Sequence, residues 1–109
     1  MRIILTVEAR DFLHSLPRDA INKITYNMRK VQYGIIDNDI FKKLENSNIW
    51  EFRTLHNRNA YRLFAFWDTD EETLVIATHG IKKKTQKTPT KEIAKAERIR
   101  KQYFEQKKK

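Results

Sequence analysis

Three kinds of side chain in this sequence could act together on a phosphodiester. Arg53 and Arg62 stand inside two apolar, aromatic stretches, His79 ends a third, and Lys82, Lys83, Lys84 and Lys87 place four lysines within six residues just after it. Cleavage of RNA by its own 2′-hydroxyl requires such a set without a metal. One group removes the hydroxyl proton, cations hold the charge of the phosphorane, and another group protonates the departing oxygen. Lysine, threonine and glutamine side chains donate to phosphate oxygens, and an imidazole changes charge near neutral pH. Two plainer readings stay open. Either arginine can pair with Glu51 across neighbouring strands, and the run from His79 to Pro89 can be a solvated basic hinge between a strand and a helix. His14, on the polar side of a short helix, and His56, in a turn, read as surface residues. There is no glycine-rich phosphate loop, no nucleophile elbow and no cluster of His and carboxylates at metal-binding spacing. Neither a metal nor a cofactor is therefore expected.

The elements that must hold these groups follow from periodicity. Arg2 to Leu5 reads as a short strand. Thr6 offers an N-cap to a helix with Ala9, Phe12, Leu13 and Leu16 on one side, and Pro17 closes it. A second helix, opened by Asp19, carries Ile21, Ile24, Met28, Val31 and Ile35 along one stripe before Gly34 and Asp37-Asn38-Asp39 break the pattern. The two form an antiparallel hairpin whose stripe needs a sheet to cover it. Ile49 to Leu55, Asn59 to Trp67 and Thr73 to His79 supply that sheet as an antiparallel meander. Alternation sets Trp50, Phe52, Tyr61, Leu63, Ala65 and Trp67 on an apolar face, with Glu51, Arg53, Arg62, Phe64, Phe66 and His79 on the other. Thr88-Pro89 then suits the start of a helix over Lys91 to Tyr103. Its narrow face of Ile93, Ala96, Arg100 and Tyr103 lays it against the sheet edge, with Gln106 to Lys109 frayed. The fold class is α+β: an N-terminal strand, a helical hairpin, an antiparallel sheet and a C-terminal helix, in a single domain over residues 1–109.

Charge is unevenly spread. Residues 82–109 hold 12 Lys/Arg against 3 Asp/Glu, whereas residues 1–81 hold 11 against 11, so the net +9 lies in the last quarter. A neutral globule with a cationic end is suited to a polyanion, most often nucleic acid. With no cysteine, disulfides and thiolate metal sites are excluded. No apolar run reaches the length of a signal peptide or a membrane span, and a soluble cytoplasmic protein is expected.

Lys43-Leu44-Glu45, Ile49-Trp50-Glu51-Phe52-Arg53, Asn59-Ala60-Tyr61-Arg62-Leu63-Phe64 and the run His79 to Pro89, followed by Glu92-Ile93 and Ala96-Glu97, resemble the phage-derived, HigB-type branch of the RelE/ParE toxins. The resemblance spans nearly the whole chain. It implies the same order of elements, and a type II toxin that cleaves messenger RNA on the ribosome and is neutralised by a co-expressed antitoxin, in this branch often a helix-turn-helix protein. Arg53 matches a basic position on the first meander strand, and Arg62 matches the arginine after tyrosine that contacts the scissile phosphate. Lys82 and Lys83 match the basic residues after the last strand. The tyrosine or histidine that several members carry near the C-terminus has no aligned counterpart, and Glu51 stands where some relatives have lysine. His79 is accordingly placed in the proton-transfer role beside Arg53 and Arg62, with Lys82, Lys83, Lys84 and Lys87 on the phosphates. Two other functions stay open. The ParE side of the superfamily shares the fold and is associated with gyrase inhibition, and a basic module could bind its antitoxin and nucleic acid without catalysis. The expected partner lies across the groove between the sheet and the C-terminal helix.

Overall fold

A parallel pairing at one edge organises the sheet: β1 (Arg2–Leu5) lies beside β5 (Leu74–Lys83), and every other neighbour is antiparallel. The computed structural model describes residues 1–71, 74–84 and 87–108, with Leu74 by its backbone alone. Thr73, Thr85 and Gln86, which belong to the expected strand and hinge, and Lys109 lie outside the described residues. Between β1 and β5 in sequence come α1 (Val7–His14), α2 (Arg18–Gln32), β2 (Phe41–Lys43), β3 (Trp50–His56) and β4 (Asn59–Trp67), and α3 (Thr90–Lys107) follows. Among the described residues the sheet runs β1-β5-β4-β3-β2. No helix among them is long and apolar enough to cross a membrane.

The hairpin and the meander form where periodicity puts them. Thr6 caps α1, its Oγ1 accepting from the Ala9 amide at 3.1 Å. Ile24, Met28 and Val31 of α2 are buried with Phe52, Tyr61, Leu63 and Ala65 on the first face of the sheet, each large side chain contributing about 1.5–3 kcal/mol by leaving water. The second face carries a smaller cluster, Leu44, Ile49, Phe64, Phe66 and Ile76, closed by Ala96 of α3.

Four features depart from the expected layout. The stripe of α2 stops at Gln32, and Ile35, expected on it, is 53% exposed beyond Gly34, whose φ of +93° ends the helix. A short strand, β2, pairs with the outer edge of β3. β5 does not end at His79: it continues through Gly80, Ile81, Lys82 and Lys83 beside Leu63, Arg62, Tyr61 and Ala60. The nine-residue β4 would otherwise leave that half of its ladder unpaired, so the first part of the basic run is strand, not hinge. Finally, α3 reaches Lys107 where fraying from Gln106 was expected, because its last turn is tied to the sheet by side chains described below.

A bulge at Thr78 sets which way β5 presents its side chains. The ladder passes from Phe64 opposite His79 to Ala65 opposite Ala77, leaving Thr78 as the extra residue. Val75 and Ala77 therefore face the helical hairpin, while His79, Ile81 and Lys83 turn to the second face. Gly80 turns toward α1, where a β-carbon would fall 2.3 Å from the ring of Phe12.

Candidate functional site

Arg53 and Arg62 are direct cross-strand neighbours on the second face of the sheet. Like charges at such a position repel, and Glu51, one alternation along β3, resolves the conflict. Its Oε1 lies 3.4 Å from Arg53 Nε and 3.5 Å from Arg62 Nε. The carboxylate is itself buried, and its Oε2 accepts a hydrogen bond from the Thr88 hydroxyl at 2.8 Å. Thr88 thus serves Glu51 and does not cap α3, whose N-cap position is Pro89 without a side-chain bond. Both arginines were expected on an open polar face. Instead Arg62 is 1% exposed, with Nη1 donating to the Tyr61 carbonyl at 3.2 Å, and Arg53 keeps a fifth of its side chain in solvent, with Nη1 on the Asn38 carbonyl at 3.2 Å. The pairing with Glu51 that the sequence left open is therefore present, for both. Burial lowers the pKa of Arg62, with Glu51 opposing and Arg53 adding to the shift.

The lysines divide. Lys83, turned onto the arginine face by the bulge, has a buried Nζ with no hydrogen-bond partner among the described residues. Burial and the Arg62 guanidinium hold its amine below the ordinary lysine value, against the pull of Glu51. Lys82 is opposite Tyr61 on the other face, and Lys84 and Lys87 are exposed. The structure so gathers Arg53, Arg62 and Lys83, leaves Lys82 behind, and keeps Lys84 and Lys87 at the periphery. Asp39, Arg53, Leu55 and Arg62 line an open cleft of about 340 Å³. With Glu51 among the three cations and Asp39 on the wall of the cleft, positive charge remains in excess beside a space that can admit a polyanion.

His79 is not gathered with them. It is 2% exposed, its ring stacks on Phe64 at 4.8 Å, Nδ1 lies 2.9 Å from Thr78 Oγ1 and Nε2 lies 3.2 Å from Glu92 Oε1 of α3. In the cross-strand row Glu51, Phe64, His79, the phenyl ring stands between the carboxylate and the imidazole. Burial lowers the pKa of His79, helped by Lys95, while Glu92 opposes. His79, expected in a proton-transfer role beside the arginines, here joins β5 to α3. The reason is the helix itself, which covers that end of the face and takes the imidazole into its own contact.

Sequence reading missed the anchor of α3. Tyr103 donates to Asp68 Oδ2 at 2.5 Å, and Lys107 reaches the same oxygen at 2.6 Å. Asp68 is fully buried, which by itself would raise its pKa, but Lys107, Tyr103 and the amides of Asp70 and Glu71 bring it down to about 2. Burial and the Asp68 contact push Tyr103 up to about 12. Tyr103 was expected on the face of α3 that meets the sheet, but nothing in the sequence joined it to Asp68, 35 positions away. Among the described residues no three of His, Cys, Asp and Glu come together as a metal could require.

Residues 11–101 match the family described as phage derived protein Gp49-like. The chain belongs to this family. No curated protein matches the sequence. Among solved structures, the intact RelBE toxin–antitoxin complex of Escherichia coli is similar with a TM-score of 0.57 at 12% identity, over 78% of this chain and 96% of the matched one. The RelBE2 toxin–antitoxin complex of Mycobacterium tuberculosis gives 0.47 at 20% identity, over 76% and 91%. The Gp49-like chain thus has the α+β, RelE-like fold that its motifs implied.

Proposed function

We propose that this Gp49-like protein is the toxin of a type II toxin–antitoxin pair, a ribosome-dependent endoribonuclease acting on messenger RNA in the cytoplasm. The observation that carries the reading is the cluster of Arg53, Arg62 and Lys83 around the carboxylate of Glu51, beside an open cleft. The family and the fold support the toxin class.

In this reading the scissile phosphate rests on Arg53 and Arg62. The guanidinium groups stabilise the charge that builds on the phosphorane as the neighbouring 2′-hydroxyl attacks, an effect worth about 3–4 kcal/mol for each well-placed donor. The Lys83 ammonium, crowded by other cations, gives its proton to the departing 5′-oxygen. Lys84 and Lys87 hold flanking phosphates, and Lys82 contributes long-range attraction from the opposite face. All the steps use side chains of the chain itself. The partner is a cognate antitoxin, a helix-turn-helix protein in this branch, laid across the groove beside α3. A second reading rests on the depth of Arg62: the cluster could serve the fold alone, in a module that binds its antitoxin and nucleic acid without cutting.

Inducible expression in a bacterial host separates them. The toxin reading expects growth arrest, relief by the neighbouring reading frame, and loss of arrest in a folded Arg53→Ala variant. Harmless expression of the folded wild-type protein contradicts it.

A further inference from the structure

The cleft beside the paired arginines has an acid on its wall. Asp39, Arg53, Leu55 and Arg62 line it, and the two carboxylates at this end of the sheet are placed differently. Glu51 is buried and taken up by Arg53, Arg62 and Thr88. Asp39 is exposed, and its carboxylate has no hydrogen bond or ion pair among the described residues. Its backbone is fixed nonetheless. The Asp39 amide donates to Asp37 Oδ1 at 2.8 Å, the Ile40 and Phe41 amides donate to the Asp37 carbonyl at 2.9 and 2.8 Å, and the Asn38 carbonyl accepts from Arg53 Nη1 at 3.2 Å. The turn ahead of β2 thus holds a negative charge in a cleft whose other polar groups suit a phosphate. An ionised carboxylate only accepts hydrogen bonds, so a polyanion gains from Asp39 only through groups that donate. In RNA those are the ribose hydroxyls and the edges of the bases. Leu55, 59% exposed and lining the same cleft, offers the apolar contact that the plane of a base takes and a hydroxyl does not.

We propose that Asp39 selects guanine at a nucleotide adjoining the scissile phosphate, its two oxygens accepting from guanine N1–H and the N2 amino group while Leu55 lies against the plane of the base. The inference rests on the endonuclease reading and names the RNA that such an enzyme cuts. Guanine is the one base whose Watson–Crick edge presents two donors side by side, at the spacing of two carboxylate oxygens. Adenine and cytosine offer an amino group next to a bare acceptor nitrogen, which a carboxylate repels, and uracil offers a single N–H between two carbonyls. A guanosine therefore brings donors to Asp39 as the neighbouring phosphate meets Arg53 and Arg62. Any other base leaves the carboxylate short of a donor and close to the negative charge of the RNA backbone. One well-made bidentate contact of this kind discriminates by roughly ten- to a hundredfold.

Mapping the ends of fragments cut from a mixed pool of messenger RNAs on translating ribosomes tests this. Wild-type protein is expected to show guanine at one of the two positions flanking the cut, over the other bases by roughly ten- to a hundredfold. Asp39→Ala should flatten that preference. Asp39→Asn should move it toward adenine, because the amide oxygen accepts from the N6 amino group while the amide nitrogen donates to N1. Two synthetic messages carry the test with wild-type protein alone, so that it stands even where a variant fails to fold. Inosine at the selected position lacks only the N2 amino group and should be cut more slowly than guanosine, whereas 7-deazaguanosine keeps the Watson–Crick edge and should be cut as guanosine is. Slowing by 7-deazaguanosine with indifference to inosine would assign the reading to an arginine on the O6 and N7 edge and overturn the proposal. Cutting without a guanine preference, or a preference that folded Asp39→Ala retains, also overturns it. Wild-type protein that cuts no message defeats the endonuclease reading and this inference with it, a result distinct from cutting that ignores the base.

Discussion

Arg53 and Arg62 face each other directly across β3 and β4 and share one carboxylate, with Glu51 Oε1 within 3.4 and 3.5 Å of their Nε atoms. Two guanidinium groups are thereby held beside one carboxylate on neighbouring strands. Such an arrangement ties β3 to β4, and in the proposed reading the same groups are the paired donors to a phosphate. The two roles separate by exposure, because Arg62 is 1% exposed and Arg53 retains contact with solvent.

Arg62→Met is expected to destabilise the protein by about 3 kcal/mol, toward the lower end of the cost of breaking a buried ion pair, since Arg53 remains to hold Glu51. Pairing it with Glu51→Met should recover most of the loss. Urea denaturation of the single and double variants measures this, and a single variant as stable as wild type contradicts the pairing.

Acid should loosen the C-terminal helix. Asp68 titrates near 2 in the fold, below its ordinary 3.8, so its contribution is complete above about pH 4 and is lost as pH falls through 2. Tyr103, at about 12 against an ordinary 10.0, contributes fully below pH 10 and loses that contribution as pH rises to 12. Melting temperatures across both ranges should fall in wild type, with the acid slope reduced in Asp68→Asn and the alkaline slope reduced in Tyr103→Phe. Unchanged slopes would remove this anchor from the account.

His79 predicts a third slope. Its pKa in the fold lies below the ordinary 6.5 because burial disfavours the imidazolium, so the unfolded chain takes up its proton first. Stability from this residue is complete above 6.5 and declines as pH drops below that value. Thermal melts of His79→Gln should lack that decline, and the variant should still arrest growth. Loss of toxicity in a folded His79→Gln protein would return the imidazole to the chemistry.

Gly80 has no room for a side chain beneath Phe12. Gly80→Ala should cost about 1–3 kcal/mol as overpacking does, and adding Phe12→Leu should return part of it. Equal stability of Gly80→Ala and wild type, read by chemical denaturation, would mean the α1 contact is looser than described.

The hairpin and meander were legible because Ile24, Met28 and Val31 repeat at helical spacing and because Trp50, Phe52, Tyr61 and Leu63 alternate. β2 was not, since three residues including Lys42 and Lys43 carry little strand signal. The reach of β5 was hidden twice. Its lysines suggest a hinge, and the bulge at Thr78 breaks the alternation that would have assigned Lys83 to a face. Arg53, Arg62 and Lys83 were recognisable as candidate phosphate ligands by type. That one carboxylate joins the arginines was one of two open readings, and that Thr88 holds it could not be seen, because the contact spans 37 positions. Alternation gave His79 the arginines' face, but it reports a shared face and not the phenyl ring or the helix that stand in between.

The most direct test of the central claim is the chemistry of the cut ends. Purified protein is added to ribosomes translating a defined messenger RNA, and the fragments are analysed for their termini. The account predicts a 2′,3′-cyclic phosphate on one fragment and a 5′-hydroxyl on the other, with cutting reduced about a hundred- to a thousandfold by Arg53→Ala. Intact messenger RNA from a folded, growth-arresting protein, or cutting that Arg53→Ala leaves unchanged, would contradict it, and a block of gyrase supercoiling by the same protein would point to the gyrase-inhibitor alternative.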